Sequence, residues 1–560
     1  MAIAIYLGTT LAVTIMGGEF LHAVRLRVTD RSVALLVGFV VGHGIAALAI
    51  LALGLAGYAN WWALAELMLL IAWSGLRRLD TLVPAALELG RRGWRGLRSS
   101  RYAGAYRVTT AVVLLQLVAA LAPATDYDGL AEHLAQAQQY VMAGRIIPLW
   151  YDHHAHFPAT LQMFYLLAHA LNAAQAAKLY HWGFGVVALL ATLVAGRRLF
   201  GRAAGAYGAM VLATTPTFAW LMGVAYVDLA TTACSIVAVL LLCLWLRDRD
   251  HRYLVMSALA MGVGAGSKMQ ALALLGVLVV VVAAATVGWR QRLRAGALYL
   301  VLALSLCLPW YLKSWIWTGN PVYPFAYGVF GGKMWSADRA AAYRHTQLQF
   351  GVGEMPPADQ WQQMSELRRM FVGPRAPLNL VLAPLHLLLR PHEFTVGPGP
   401  LGAFACDSPG PMYLALLLPM LLLPRPRPVG WLMLIFAPLW VWWLFSVQLT
   451  RYLLPSLALI APAIGWAATE AEARGGVMRA ATKVITTLWP PVALVLMAMY
   501  VVPQAPPVLG LQPASEYLAR VCEVYPPTHY LAEHAPSDAV VALYGEPRGY
   551  YLQRRHLWAE

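Results

Sequence analysis

Titratable side chains are concentrated in one short stretch of an otherwise apolar chain. Residues 125–158, TDYDGLAEHLAQAQQYVMAGRIIPLWYDHHAHFP, hold four carboxylates and four histidines. Asp126 and Asp128 lie near the start of the stretch, and His133 follows Asp128 by five residues. Carboxylates and imidazoles are among the side chains that most often accept or donate protons in catalysis. The stretch is therefore the first candidate for a catalytic or ligand-binding site.

Local structure offers a second interpretation of the same residues. If a helix begins near Asp128, then Asp128, Glu132 and Gln136 share one face, and His133 lies on a neighbouring one. Asp128 could equally cap that helix, and the stretch could be a solvated loop. A carboxylate at a membrane interface is costly unless it is hydrated, paired or used, so a functional role for Asp126 or Asp128 stays open beside the capping role.

The segment DHHAHFP, residues 152–158, contains candidate metal ligands. Asp152, His154 and His156 offer the carboxylate and imidazole groups that suit several divalent ions. An HxH pattern alone is a weak signal, and no distant ligand is identifiable, so a polar loop that lines a cleft is the alternative. The sequence requires no cofactor, and a divalent metal is the one cofactor for which it offers ligands.

The elements that must position these side chains are transmembrane helices. Of the 560 residues, 60% are hydrophobic and 12% are charged, with a mean hydropathy of +0.60. Soluble domains have about 45–50% apolar and about 25% charged residues. Apolar runs long enough to cross a bilayer recur along the chain, whereas a β-barrel would show short alternating strands. We predict an all-α polytopic membrane protein with about 14 transmembrane helices.

The distribution of arginine predicts the topology. Basic loops such as GRRLFGR (196–202), RDRDHR (247–252) and WRQRLR (289–294) fall on one side, which the positive-inside rule makes cytoplasmic. These loops account for the net charge of +15, so nucleic acid is not an expected partner. We predict a multi-pass protein of the bacterial inner (plasma) membrane, with its site on the periplasmic side.

This topology divides the chain into three parts. Residues 1–107 form N-terminal spans and a basic cytoplasmic loop. Residues 108–502 form a transmembrane core with outer loops 124–177 and 318–410. Residues 503–560 form a short outer segment, in which AVVALYG suggests a strand, and hence a small α/β appendage.

Two cations lie on the predicted outer side, against the positive-inside trend. They are Lys268, in GAGSKMQAL, and Arg451, in QLTRYLLP. A phosphate is the natural partner, because Lys binds it as a compact charge and Arg binds it bidentately. Snorkelling to lipid headgroups is the alternative for Lys268. Asp228 and Tyr226, in VAYVDLA, also lie at the outer start of a span, where Asp228 could instead cap the helix.

A series of motifs in fixed order carries a family resemblance. The order is DxDGLxxHLxxAxxYxxxGRIxPL, FPATLQMFY, YVDLA, GSK, TGNPVYPF and TRYLLP. It resembles the GT-C superfamily of integral-membrane glycosyltransferases, and within it bacterial relatives of protein O-mannosyltransferases and of the lipid A aminoarabinose transferase. The resemblance covers roughly residues 108–468 and predicts a GT-C-like catalytic core there.

The resemblance implies a function and a set of roles. It implies inverting transfer of a sugar from a polyprenyl-phosphate donor to a hydroxyl of a lipid, glycan or protein acceptor, in a bilayer of membrane lipids. Asp128 would be the base, with Asp126 as the alternative, and His133 matches a histidine common in the bacterial relatives. Lys268 and Arg451 would hold the carrier phosphate. The remaining candidate substrate-cleft residues are Asp228, Tyr226, His154, His156 and Tyr323.

Other functions use the same outer residues differently. A transporter or flippase of a lipid-linked or anionic substrate would bind it with the outer cations and would need ionisable residues within the spans, which the predicted spans nearly lack. A polysaccharide ligase or polymerase would also act on the outer face. A non-catalytic scaffold would leave the outer cluster unexplained.

Overall fold

The computed structural model describes residues 1–75, 79–396, 402 and 406–559. In this part of the chain, nine helices are long and apolar enough to cross a membrane. They are Ala2–Ala23, Arg31–Leu55, Ala103–Leu121, Ala176–Leu199, Asp228–Asp248, Trp289–Thr318, Arg427–Phe445, Thr450–Arg474 and Gly476–Val501. The predicted all-α polytopic fold is therefore confirmed.

Shorter helices fill the rest of the bundle and the loops. Four of them are apolar: Trp61–Gly75, Ala271–Ala284, Pro377–Leu389 and Met412–Leu422. The other α-helices are Leu79–Ser99, Leu134–Met142, Gln162–Ala170, Arg202–Ala213, Pro216–Met222, His251–Ala265, Tyr327–Phe330, Ala337–Gln347, Ala358–Gln363, Glu366–Arg369, Ala505–Val508, Ala514–Val521 and Tyr525–His534. A π-helix covers Gly129–His133, and 3-10 helices cover His153–His156, Gly373–Arg375, Pro391–Phe394, Val502–Gln504 and Tyr550–Leu552.

The predicted count of about 14 spans is not confirmed. The apolar run 203–222 shows one reason, because it forms two helices, Arg202–Ala213 and Pro216–Met222. Pro216 begins the second helix, since proline is tolerated in a first helical turn but not in a helix interior. At 1.5 Å per residue, neither piece alone spans a hydrocarbon core of about 30 Å.

Close packing of small residues fixes the central helices. A Cβ atom added to Gly465 would lie 2.5 Å from the backbone nitrogen of Gly208. Only glycine therefore permits this approach between helix Thr450–Arg474 and helix Arg202–Ala213, as is common where membrane helices cross. The contact anchors the long helix whose first turn carries Arg451.

The basic loops lie together at one end of the bundle. Arg247 donates to the carbonyl of Arg198 at 2.9 Å, and Arg252 donates to the carbonyl of Arg27 at 3.0 Å. Arg198 also pairs with Asp30 at 3.2 Å. Three basic segments that are distant in sequence thus share one end, as the arginine distribution predicted.

The C-terminal segment forms the predicted small α/β appendage. Strands β1 (Val540–Tyr544) and β2 (Arg555–Ala559) pair in parallel, with Val540 opposite Arg555. The turn between them contacts the first outer loop, because the Tyr551 hydroxyl donates to the carbonyl of Ala124 at 2.7 Å. The appendage therefore packs directly beside the acidic stretch.

Candidate active site

One cavity collects most of the candidate residues. Its volume is about 910 Å³, and it lies where the loop 124–177, the turn at Ser267–Gln270, the segment 322–350 and the start of helix Thr450–Arg474 meet. These segments are the ones that topology assigned to a common side. Its titratable lining residues include Asp128, Glu132, His133, His154, Asp228, Lys268 and Arg451.

A π-helix aims the acidic stretch into the cavity. The amide of Leu134 donates to the carbonyl of Gly129, which is the i→i+5 bond of a π-turn. A wider turn brings residues five apart onto one face, so Asp128 and His133 both line the cavity together with Glu132. The sequence analysis placed Asp128, Glu132 and Gln136 on one face of a helix and His133 on a neighbouring face. Single π-turns of this kind occur frequently at functional sites.

Two ion pairs stand side by side on the cavity wall. Arg451 contacts Asp128 at 2.6 Å, and Lys268 contacts Asp228 at 2.6 Å. All four side chains are at least three-quarters buried, with exposed fractions of 14%, 21%, 17% and 4% in that order. Each cation therefore has a carboxylate partner in the absence of any ligand.

Both cations lie against one aromatic ring. The Lys268 ammonium is 4.3 Å from the ring centroid of Tyr452, and the Arg451 guanidinium is 5.5 Å from it. Arg451 also lies 5.0 Å from the ring of Tyr226. Aromatic rings attract cations through their electron-rich faces. The tyrosines thus hold two positive charges close together at the cavity surface.

The two aspartates of the DYD motif have opposite environments. Burial opposes the charge of Asp128, but the Arg451 guanidinium outweighs it and lowers the pKa of this carboxyl. Asp126 lies outside the cavity lining, and among the described residues its Oδ2 atom is buried with no hydrogen-bond partner. Burial raises the pKa of Asp126, and Lys178 only partly opposes this. Of the two aspartates, Asp128 is the one whose pKa is lowered and the one that lines the cavity.

Glu132 and His154 form a third pair in the cavity wall. Nδ1 of His154 is 3.2 Å from Glu132 and 3.1 Å from Asp152. Burial raises the pKa of Glu132 to about 8, despite the attraction of His154. Burial opposes the imidazolium of His154, but the two carboxylates outweigh it and raise its pKa to about 9. The Glu132–His154 pair therefore holds a proton at neutral pH.

A chain of amides connects His133 to this pair. Gln162 donates to Nδ1 of His133 at 3.0 Å and to the side-chain oxygen of Gln136 at 3.2 Å. Gln136 in turn donates to Asp152 at 2.6 Å. Burial lowers the pKa of His133 to about 3, so this ring is neutral and accepts the bond from Gln162. The network orients the polar side chains along one wall.

The structure brings six of the ten predicted site residues to the cavity and leaves four outside its lining. The six are Asp128, His133, His154, Asp228, Lys268 and Arg451. Tyr226 is buried and Asp126 is half-buried, and neither lines the cavity. The ring of His156 packs against Tyr323 and Trp317, at centroid distances of 5.2 and 5.9 Å.

The sequence analysis proposed Asp152, His154 and His156 as metal ligands, and the structure groups His153 instead of His156 with the other two. Among the described residues, ligand atoms of Asp152, His153 and His154 lie within 4.8 Å of one another, and His156 is not in this group. Glu132 and Tyr452, which the sequence analysis did not propose, also line the site. The helical spacing of Glu132 after Asp128 was the available signal for the first.

Comparison with known proteins supports the fold and a family. The family model for dolichyl-phosphate-mannose-protein mannosyltransferase matches residues 153–317. The crystal structure of ArnT from Cupriavidus metallidurans bound to undecaprenyl phosphate superposes with a TM-score of 0.51 at 16% identity, covering 82% of this chain and 86% of that one. These comparisons support a GT-C membrane glycosyltransferase fold for the chain. The sequence resemblance is thereby confirmed.

Two further structures of this superfamily are similar to the chain. ArnT from C. metallidurans in the apo state has a TM-score of 0.49 at 17% identity, over 82% of this chain and 86% of that one. The Archaeoglobus fulgidus oligosaccharyltransferase has a TM-score of 0.45 at 13% identity, over 83% of this chain and 64% of that one. No curated protein sequence matches the chain.

Proposed function

We propose that this GT-C protein is an inverting glycosyltransferase that moves a sugar from a polyprenyl-phosphate donor to an acceptor hydroxyl. The observation that carries the proposal is the position of Lys268 and Arg451 against Tyr452 in a cavity that Asp128 also lines. Two adjacent cations form a site for an anion, and the neighbouring carboxylate can accept a proton. An undecaprenyl phosphate bound to a solved relative is consistent with this donor class.

Donor binding requires the resting ion pairs to open. The donor phosphate takes Arg451 from Asp128 and Lys268 from Asp228, because both cations already have carboxylate partners at 2.6 Å. A phosphate that bridges the cations offers each of them a charge-assisted hydrogen bond in exchange. The exchange leaves the Asp128 carboxylate without its cation. Its pKa therefore rises, and it becomes a stronger base at the moment when the donor is in place.

The freed carboxylate then serves the transfer step. The acceptor oxygen attacks the anomeric carbon from the side opposite the phosphate, and Asp128 accepts the hydroxyl proton. The bond from the anomeric carbon to the phosphate oxygen breaks, and Lys268 and Arg451 stabilise the charge that develops on the departing phosphate. One displacement with one base inverts the configuration, in contrast to double displacement by two carboxylates.

The acceptor reaches the site from the outer face in this scheme. Asp228 in the cavity and Arg247 among the basic loops lie at opposite ends of helix Asp228–Asp248. Together with the positive-inside rule, this supports a cavity on the periplasmic side of a bacterial plasma membrane. The cavity of about 910 Å³ has room for a sugar and part of an acceptor. A lipid, a cell-envelope glycan or a protein side chain could supply the hydroxyl.

Transfer assays with matched variants test the proposal. Membranes that contain the protein are supplied with radiolabelled polyprenyl-phosphate sugars, and label is followed into lipid, glycan and protein fractions. We expect transfer by the wild type and its loss in Asp128→Asn. Asp250→Asn is the control, because it makes the same chemical change in an ion pair with Arg252 among the basic loops. Equal transfer by wild type and Asp128→Asn would contradict the assignment of the base.

A flippase is the alternative outcome of the same preparation. Reconstituted vesicles carrying a labelled polyprenyl-phosphate sugar report whether the lipid changes leaflet. Movement of the carrier across the bilayer without transfer from any donor to any fraction would exclude the enzyme. The Lys268→Ala variant would then be expected to slow that movement, because the cation would bind the carrier in both functions.

A further inference from the structure

Two buried side chains outside the cavity lining hold the segment that carries Tyr226 and Asp228. They are Tyr165 and His181, and both are fully buried. The Tyr165 hydroxyl donates to the carbonyl of Tyr226 at 2.5 Å. His181 lies on helix Ala176–Leu199 and bonds to the segment on both sides of Tyr226. The proposed reaction does not use His181, so its two bonds require another explanation.

His181 bonds to this segment through both ring nitrogens. Its Nδ1 atom lies 2.8 Å from the carbonyl oxygen of Val224, and the backbone amide of Leu229 lies 3.0 Å from Nε2. A backbone amide can only donate, so Nε2 is the acceptor and the ring proton is on Nδ1, which donates to Val224. The ring is therefore neutral in this arrangement, and its two bonds fix the ends of the turn between Val224 and Leu229.

The bond to Leu229 supplies a helix cap that the local sequence lacks. Leu229 is the second residue of helix Asp228–Asp248, and its amide is one of the four that the start of a helix leaves without a partner inside the helix. A side chain at the preceding position usually accepts from such an amide. That position is occupied by Val227, which makes no capping bond. His181 provides the acceptor from another helix.

This remote cap matters because of the residue between Val227 and Leu229. Aspartate near the start of a helix is a common capping residue, and the sequence analysis left that role open for Asp228. In the structure, the Asp228 carboxylate accepts from Lys268 at 2.6 Å, and the amide of Leu229 is satisfied by His181. The Asp228 side chain is only 4% exposed, so its direction depends on how the first turn of the helix is held.

We propose that His181 is a positioning residue for the ion pair of Asp228 and Lys268. By holding the first turn of helix Asp228–Asp248, the ring fixes the carboxylate opposite the ammonium. It thereby sets how strongly a phosphate must compete for Lys268. The effect of His181 on the ion pair follows from these contacts alone, and its effect on donor binding rests on the proposed function.

Two substitutions of His181 separate its two bonds. The side-chain amide of glutamine reaches the position of Nε2 and can accept from Leu229, whereas that of asparagine reaches the position of Nδ1 and can donate to Val224. We expect His181→Gln to keep the helix cap and His181→Asn to lose it. Each variant gives up one buried hydrogen bond, so general destabilisation is matched between the two.

The strength of the ion pair is measured through the thermal midpoint. Lys268→Ala lowers the midpoint of the wild type because it leaves a buried carboxylate unpaired. We expect the full decrease when Lys268→Ala is added to His181→Gln, and less than half of it when it is added to His181→Asn. His43→Ala is the control background and should show the full decrease, because His43 is also buried but bonds to the carbonyl of Phe39 in its own helix. Equal decreases in the glutamine and asparagine backgrounds would refute the positioning role.

Donor binding gives a second readout. A weaker ion pair competes less with phosphate, so His181→Asn should bind polyprenyl phosphate about threefold more tightly than His181→Gln, the scale that a partly exposed ion pair contributes. The kcat values of the two variants should be similar, because Asp128 and Arg451 are unchanged. Equal affinities would refute the link between His181 and the donor. A wild type that neither binds nor transfers any donor would refute the proposed function, and the thermal midpoints would still decide the role of His181.

Discussion

Replacing Asp128 by asparagine should separate donor binding from transfer. In the resting protein, Arg451 pairs with Asp128 at 2.6 Å, and a donor phosphate must compete for the same guanidinium. The asparagine keeps the size of the side chain and removes the charge. We therefore expect Asp128→Asn to bind polyprenyl phosphate more tightly than the wild type while it loses transfer. Most losses of a site residue weaken both, so this opposite response is diagnostic.

The structure sets the scale of the two effects. At the effective dielectric constant of a protein site, about 20, two unit charges 4 Å apart attract by about 4 kcal/mol. In Asp128→Asn the phosphate no longer has to displace this carboxylate. If a third of the attraction is thereby gained for phosphate binding, the Kd of the variant for polyprenyl phosphate falls about tenfold. Loss of the general base should lower kcat on the order of 10²–10⁴-fold. The two changes have opposite signs and are both well above experimental error.

Calorimetry in nanodiscs measures the first effect, and single-turnover transfer from radiolabelled donor measures the second. Asp126→Asn is the informative comparison, because the ion-pair partner of Arg451 among the described residues is Asp128, and Asp126 does not line the cavity. It should leave the affinity for polyprenyl phosphate near that of the wild type. Weaker or unchanged phosphate binding by Asp128→Asn would refute the competition between carboxylate and phosphate. Transfer at the wild-type rate would refute its role as the base.

Three further substitutions test the surroundings. Lys268→Ala should raise the donor KM tenfold or more and lower the thermal stability of the protein, because the Asp228 carboxylate is left unpaired. The double variant that also carries Asp228→Asn should regain thermal stability but not donor affinity. Recovery of donor affinity in the double variant would contradict this role of Lys268. Burial raises the pKa of Asp407 from its ordinary value to about 6, so the free energy of unfolding falls by up to about 3 kcal/mol as the pH rises from about 4 to about 6. The thermal midpoint of Asp407→Asn, measured across that range, should lack this fall. The same pH dependence in Asp407→Asn and the wild type would refute the assignment. Tyr551→Phe removes the hydrogen bond to Ala124 and should destabilise the protein by about 1 kcal/mol, with less than a tenfold loss of transfer activity. A loss of transfer as large as that of Asp128→Asn would show that the appendage takes part directly in the transfer reaction.

Site residues that depart from the positive-inside trend were the easiest to predict from the sequence. Lys268 and Arg451 were singled out because cations on the outer side need a reason, and both line the cavity. The partners of these residues could not be predicted, since Asp128 and Arg451 are separated by most of the transmembrane core. Pairing at that distance depends on how the helices cross, and here it depends on glycine contacts such as that of Gly465 with Gly208.

Local geometry limited the rest of the site prediction. The side on which His156 lies follows from the 3-10 turn His153–His156, and the sequence alone does not distinguish this turn from an extended loop. The π-turn Gly129–His133 had no sequence signature either, although it brings His133 beside Asp128. The predicted number of spans is not confirmed, for a related reason. Hydropathy cannot separate a helix that crosses the bilayer from two short ones broken at a proline such as Pro216.

The resting ion pair also solves a problem that the transfer reaction creates. The donor is a phosphodiester with one negative charge, whereas the departing polyprenyl phosphate is a monoester with a charge of about −1.5 to −2 at pH 7. Lys268 and Arg451 therefore hold the product more strongly than the donor. Asp128 is protonated after transfer, and when it loses its proton to water the carboxylate competes again for Arg451. Proton release and phosphate release are thus coupled, and polyprenyl phosphate should dissociate more slowly from Asp128→Asn than from the wild type. Equal dissociation rates, measured by exchange of labelled polyprenyl phosphate, would break this coupling.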